Sequence, residues 1–228
     1  MQKLHYYPLI IFITLLSACG NAQTNASALD TITGSKSAKK KAFSSKTILI
    51  FGDSLTAGYG LDDPATEAYP ALIQNKIDSL KLPYKIVNGG LSGETSSGGK
   101  ERIDWILRQK VDVFVLELGA NDGLRGIPTK ETAKNLQDII DRVKAKYPNV
   151  KMILTGMMVP PNMGADYANS FKNIFADLAK KNKMALVPFL LTNVAGIKDL
   201  NQSDGIHPTS KGAKIVANNV WEILKGQL

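Results

Sequence analysis

Five short apolar runs alternate along residues 47–228 with stretches in which apolar residues recur every three or four positions. Thr47 to Phe51 is a β-branched, apolar run. Lys85 to Val87 is shorter, Val111 to Leu118 is the strongest, and Lys151 to Gly156 and Ala185 to Leu190 follow. Continuous runs of this length fit strands buried on both faces of a parallel sheet. Between them, helical spacing appears at Tyr69–Leu80, around Ile103-Ile106-Leu107, at Ala133–Val143 (ending near Pro148), at Phe171–Leu178 and at Ile215–Leu224. The alternation predicts an α/β fold, a three-layer α/β/α sandwich around a five-stranded, mostly parallel sheet. Ligands bind such sheets beyond the carboxyl ends of the strands, so the loops that end these runs are where chemistry is expected.

The N-terminus reads differently. Residues 1–19 have a weakly basic start at Lys3 and an apolar stretch from Leu9 to Leu16, too short to span a bilayer and typical of an export signal. Leu16-Ser17-Ala18-Cys19 resembles a bacterial lipobox, which implies lipidation of Cys19 and cleavage just before it. The expectation is an exported protein held on a bacterial membrane by an N-terminal lipid, facing periplasm or cell surface. Residues 20–46 are rich in Ala, Ser, Thr, Asn and Lys and lack apolar periodicity, so they read as a flexible tether. Residues 47–228 suit one domain, expected to be a monomer.

Charge and cysteine usage exclude several classes. The net charge of +8 is partly that of the N-terminal segment: residues 1–46 hold six Lys and one acid, which leaves 22 basic and 19 acidic residues in 47–228. No basic stripe interleaved with aromatics points to nucleic acid. With Cys19 the only cysteine, no intramolecular disulfide or cysteine-based zinc site is possible. Of the two histidines, His5 lies in the export signal, so His207 alone remains, too few for a His-rich catalytic metal site. No metal or cofactor is expected.

His207 lies in Asp204-Gly205-Ile206-His207-Pro208, and the first strand ends in Gly52-Asp53-Ser54-Leu55. Serine is a weak nucleophile and needs a base within hydrogen-bond reach, and the base needs an acid that orients it. Ser54, His207 and Asp204 supply these parts, with Asp204 able to fold back on the ring through a tight turn. Asp53 adjoins Ser54, but neighbours at a strand end point apart; it is expected to brace loops by accepting backbone hydrogen bonds. Glu117 and Asp122 read as structural or substrate-loop residues. Thr56 stands where G-x-S-x-G has its second glycine, so no strained nucleophile elbow is expected. Gly93-Glu94-Thr95-Ser96-Ser97-Gly98-Gly99-Lys100 fails as a phosphate loop, because its lysine is one residue late and no Ser or Thr follows.

Four loop segments, around Ser54, Asn88–Thr95, Gly119–Gly123 and Asp204–Pro208, together resemble the four blocks of the SGNH (GDSL) hydrolase family. Ser54, Gly93, Asn121 and His207 match the residues that name it. Glu117 to Gly126 is similar to the third block of its branch of periplasmic thioesterases, lysophospholipases and arylesterases. The resemblance covers 47–228. It implies a flavodoxin-like sandwich and a serine esterase acting on carboxylic esters and thioesters through an acyl-enzyme. It also implies an oxyanion hole made of the Ser54 and Gly93 N–H groups and the Asn121 amide. Substrate would be a small acyl ester or lysolipid, flanked by Asp53, by Leu124, Arg125 and Ile127 of the 124–128 loop, and by Met158, Pro160 and Met163 of the 157–163 segment. A carbohydrate or peptidoglycan O-acetylesterase would use the same residues in a polar, aromatic-lined cleft, but Trp105 and Trp221 lie in helical patterns and are expected in the core. A non-catalytic lipoprotein that binds lipid or glycan is the remaining alternative.

Overall fold

A computed structural model describes residues 45–228. The expected export signal, Cys19 and nearly all of the expected tether lie outside the described residues; Lys46, taken as the end of the tether, is the first residue of strand β1 (Lys46–Gly52). Then come α1 (Ser54–Ala57), α2 (Pro64–Glu67), α3 (Tyr69–Ser79), β2 (Tyr84–Gly90), α4 (Ser96–Ile106), β3 (Val113–Glu117), α5 (Ala120–Leu124), α6 (Thr129–Lys146), β4 (Lys151–Thr155), α7 (Ala165–Asn182), β5 (Ala185–Val187) and α8 (Ser210–Leu224). The sheet has the order β2-β1-β3-β4-β5, and every pairing is parallel. Helices cover it on both faces, with α4, α6 and α7 packed side by side and α3 packed on α8.

The strands form where the apolar runs predict them because both faces are buried. Ile48, Leu49, Ile50 and Phe51 of β1 are fully buried, as are Phe114, Val115 and Leu116 of β3. Burying each such side chain favours folding by about 1.5–3 kcal/mol. β5 stops at Val187, short of the expected Leu190, because the chain leaves the register there: the Gly156 carbonyl accepts from the Leu190 N–H at 2.9 Å, one residue beyond the ladder position. β2 runs on through Asn88, Gly89 and Gly90. A side chain at Gly90 would come within 2.2 Å of the Ala57 nitrogen, so the glycine lets the backbone of β2 lie against α1.

Trp105 departs from the core expectation: it is 62% exposed. Ile103, Ile106 and Leu107 bury one face of α4, and Trp105, two residues after Ile103, points the opposite way.

β1 and β3 are neighbours, yet their helical connections leave in opposite directions along the sheet. That switch point is where a crevice opens in folds of this strand order.

Candidate active site

Ser54 opens α1, immediately beyond β1. Asp53 caps the helix by accepting from the Leu55 N–H at 3.0 Å, and Gly58, at φ +79°, ends it. The left-handed non-glycine residues among those described are Lys81, Lys183 and Asn193, so the Ser54 turn carries no such strain. This agrees with the absence of a nucleophile elbow.

The histidine arrives on a loop that closes on itself. The Ile206 and His207 N–H groups both donate to Asp204 Oδ1 at 3.0 Å, and Gly205 takes φ +75° to make the turn. This folds Asp204 Oδ2 onto His207 Nδ1 at 2.6 Å, while His207 Nε2 lies 2.8 Å from Ser54 Oγ. A carboxylate can only accept, so Nδ1 carries the ring proton and Nε2 is free to accept the Ser54 O–H. Burial acts to raise the Asp204 carboxyl, but hydrogen bonds from the His207 ring and from the Ile206 and His207 N–H groups hold it below its ordinary value. The pair is half-buried, with the imidazole 14% exposed. Such a chain can take a proton from a hydroxyl and hold the resulting imidazolium.

Two groups fix this loop from outside. The Tyr59 ring packs on the imidazole, with centroids 4.7 Å apart at 45°. Gln202 Nε2 donates to the Tyr59 carbonyl at 2.7 Å and to the Pro208 carbonyl at 3.0 Å, joining the histidine loop to the turn after α1.

Gly93 lies in the loop after β2 at φ +80°, open to solvent on its Cα side. Its neighbour Glu94 is buried and held by Arg102, whose Nε lies at 2.7 Å and whose guanidinium also caps the Gly89 carbonyl at 2.9 Å. Asn121 follows β3 on α5 and faces the same crevice. Its Nδ2 donates to the Glu94 carbonyl at 3.1 Å and, more weakly, to Asp53 Oδ2 at 3.3 Å. The Ser54 and Gly93 N–H groups donate to no other described residue.

Three buried acids support this frame. Glu117 Oε2 accepts from the Asp53 N–H at 3.2 Å and the Thr56 hydroxyl at 2.7 Å. Asp122 accepts from the Ser96 hydroxyl, from the Ser96 N–H at 2.8 Å and from Thr132 at 3.2 Å, tying α4 to α6. Asp53 is fully buried. The substrate-contact expectation for it therefore gives way to a bracing one: both its oxygens are turned inward to Leu55 and Asn121.

Ser54, Asn121, Asp204 and His207 open onto a cleft of about 790 Å³. Leu124, Met158 and Pro160 line it as expected, with Met157 and Val159 beside them. Arg125, Ile127 and Met163 do not line it. Arg125 turns back to the Gly93 carbonyl at 3.1 Å, the Ile127 carbonyl accepts from Tyr167 at 2.8 Å, and Met163 packs toward Gly126. The pattern reading missed Tyr59, Phe189, Leu191 and Ile206 in the wall. Phe189 and Leu191 follow β5, and the rule of strand carboxyl ends would have placed them here.

Residues 50–215 match the model of the GDSL-like lipase/acylhydrolase family. The esterase TesA of Pseudomonas aeruginosa is 37% identical over 181 residues, 79% of this chain and 88% of that protein. Thioesterase 1/protease 1/lysophospholipase L1 of Escherichia coli is 37% identical over 179 residues, covering 78% and 83%. The crystal structure of the psychrotrophic esterase EstA from Pseudoalteromonas, inhibited by monoethylphosphonate, superposes with a TM-score of 0.74 at 34% identity, covering 80% of this chain and 98% of that one. With the family model spanning most of the domain and two relatives above one-third identity, this chain belongs to the GDSL-like lipase/acylhydrolase family.

Proposed function

We propose that this protein is a serine esterase in which Ser54 is the nucleophile, His207 the general base and Asp204 the orienting acid. Ser54 Oγ bonds to the acyl carbon as His207 Nε2 takes its proton. The carbonyl electrons move to oxygen, which the Ser54 and Gly93 N–H groups and the Asn121 amide stabilise, each by about 3–4 kcal/mol. Asn121 gives up its weaker 3.3 Å contact with Asp53 to do so. Collapse expels the alcohol or thiol with the proton from His207. Water, deprotonated by the same ring, then releases the acid and restores Ser54. The observation that carries this reading is the unbroken 2.6 and 2.8 Å chain from Asp204 to Ser54, opening into the cleft.

The acyl group occupies the apolar part of that cleft, walled by Leu124, Met157, Met158, Val159, Phe189 and Leu191. Esters of apolar acyl chains, lysolipids among them, fit this lining better than acetylated sugars, which require polar walls. Lipidation at Cys19 would keep the enzyme on a membrane outside the cytoplasm, supported by the lipobox-like Leu16-Ser17-Ala18-Cys19.

A hydrolysis panel from acetyl to palmitoyl esters and thioesters, with Ser54→Ala as blank, tests the proposal. Each methylene added within the cleft should raise kcat/KM by about fourfold, the equivalent of about 0.8 kcal/mol. Ser54→Ala should remove turnover entirely. A flat response to chain length would refute the acyl cleft, and activity retained in Ser54→Ala would place the nucleophile elsewhere.

A further inference from the structure

The two ends of the sheet carry opposite charge. The segments that lead into the strands or close the last helix are 45–46, 80–84, 107–112, 146–151, 180–184 and 225–228. They hold ten Lys and Arg and a single acid, Asp112. The segments that leave the strands toward the cleft are 52–68, 90–97, 117–131, 155–166 and 187–210. They hold eleven Asp and Glu against Arg125, Lys130 and Lys198. Because all strands run parallel, the two sets lie at opposite ends of the domain. All ten cations are exposed, and among the described residues Lys110 and Lys225 alone of the ten form ion pairs.

Part of this bias has a local cause. Lys146, Lys180 and Lys181 lie in last turns of helices, where the macrodipole favours cations. The same dipole reaches Lys183, the C-cap of α7, and Lys81, which follows the C-cap of α3, but Lys110 and Lys151 lie away from helix ends and have no such cause. Lys81 and Lys183 are held at φ +52° and +56°, where glycine is the least strained residue after a helix. The chain keeps a charge at two positions where its backbone favours glycine.

We propose that this basic end docks on an anionic bilayer surface, leaving the cleft directed away from it. Lysines spread over a whole end match many phosphates in a plane, whereas a single ligand needs converging groups. The chain also enters the domain at this end, through Lys46, with Lys36, Lys39, Lys40 and Lys41 shortly before it in the sequence. The acidic cleft end is repelled by the same surface. The bound enzyme thus meets esters arriving from the aqueous side.

The fragment 42–228 isolates this face from the N-terminal lysines and from Cys19. It carries its own core, since every core residue among those described lies between Ile48 and Leu224. Co-sedimentation should be measured with vesicles of phosphatidylcholine alone and of phosphatidylcholine mixed with phosphatidylglycerol. The fragment should bind the mixed vesicles only, and less as salt rises. Lys81→Gly with Lys183→Gly should weaken binding by about fivefold per charge, roughly 25-fold together, while raising Tm, so the loss does not come from unfolding. Lys130→Gln with Lys198→Gln removes the same charge from the cleft end and should leave binding unchanged. A dye on Asn149→Cys, the fragment's sole cysteine, should shift on the vesicles, and one on Ser203→Cys should not. Equal loss in both lysine pairs, no preference for anionic vesicles, stronger binding to a duplex oligonucleotide at equal salt, or a shift at Ser203 would each overturn the proposal.

Discussion

Asp53 shows how a residue beside a nucleophile serves without touching substrate. Burial raises its carboxyl from the ordinary 3.8 to about 6, opposed by the Leu55 N–H, the His207 ring and the Asn121 amide. Burial, and then the charge of Asp53, pushes Glu117 well above the usual carboxylate range. Glu117 Oε1, with no partner among the described residues, fits a neutral acid. A carboxyl whose folded pKa is raised binds its proton more tightly in the folded state. Its contribution to stability is therefore full below pH 3.8 and is lost as pH rises through about 6. The shift is equivalent to about 3 kcal/mol. Asp53→Asn removes the ionisation, so its stability relative to the parent should rise by up to about 3 kcal/mol from pH 4 to pH 7. Urea denaturation across that range reads the difference, and parallel pH curves would show that the Asp53 pKa is the same in the folded and unfolded states.

At the scale of elements, the site depends on loops held together by few contacts. Gln202 joins the histidine loop to the Tyr59 turn through two carbonyls. Gln202→Leu should lower kcat by about tenfold or more with KM little changed, because a small displacement of the base costs orientation and leaves binding intact. Steady-state kinetics on a soluble ester tests this, and a change in KM alone would assign Gln202 to the cleft. Gly90→Ala should be harsher. Its Cβ would meet the backbone of α1, which cannot shift without moving Ser54, so both stability (by about 2 kcal/mol or more) and activity should fall. Thermal melts and turnover check both effects; an unperturbed variant would mean that α1 is free to move. These elements also show what the sequence discloses. The strands were legible because runs such as Ile48–Phe51 are apolar on both faces. The helices α1, α2 and α5, four or five residues long, have no periodicity to read. Ser54, Asp204 and His207 were legible through their chemistry, and Gly93 and Asn121 through their resemblance to the family's blocks, but Phe189, Leu191 and Tyr59 were not, because no repeating pattern governs loops that line a cleft. The helical period, applied strictly, would have placed Trp105 outside.

The molecule as a whole is a scaffold that brings residues 153 positions apart into contact at one end of a parallel sheet and leaves the other end basic. Since the described core lies within 48–224, removing residues 1–41 should leave Tm and kcat/KM of the domain unchanged within error. A lowered Tm would show that the N-terminal segment contributes to the fold. The central claim is that the contact between Ser54 and His207 produces a reactive hydroxyl, and labelling with a fluorophosphonate followed by mass mapping of the adduct tests it most directly. The account predicts a single adduct on Ser54, absent in Ser54→Ala and slowed by several orders of magnitude in His207→Ala. An adduct on another residue, or labelling of Ser54 that does not depend on His207, would contradict it.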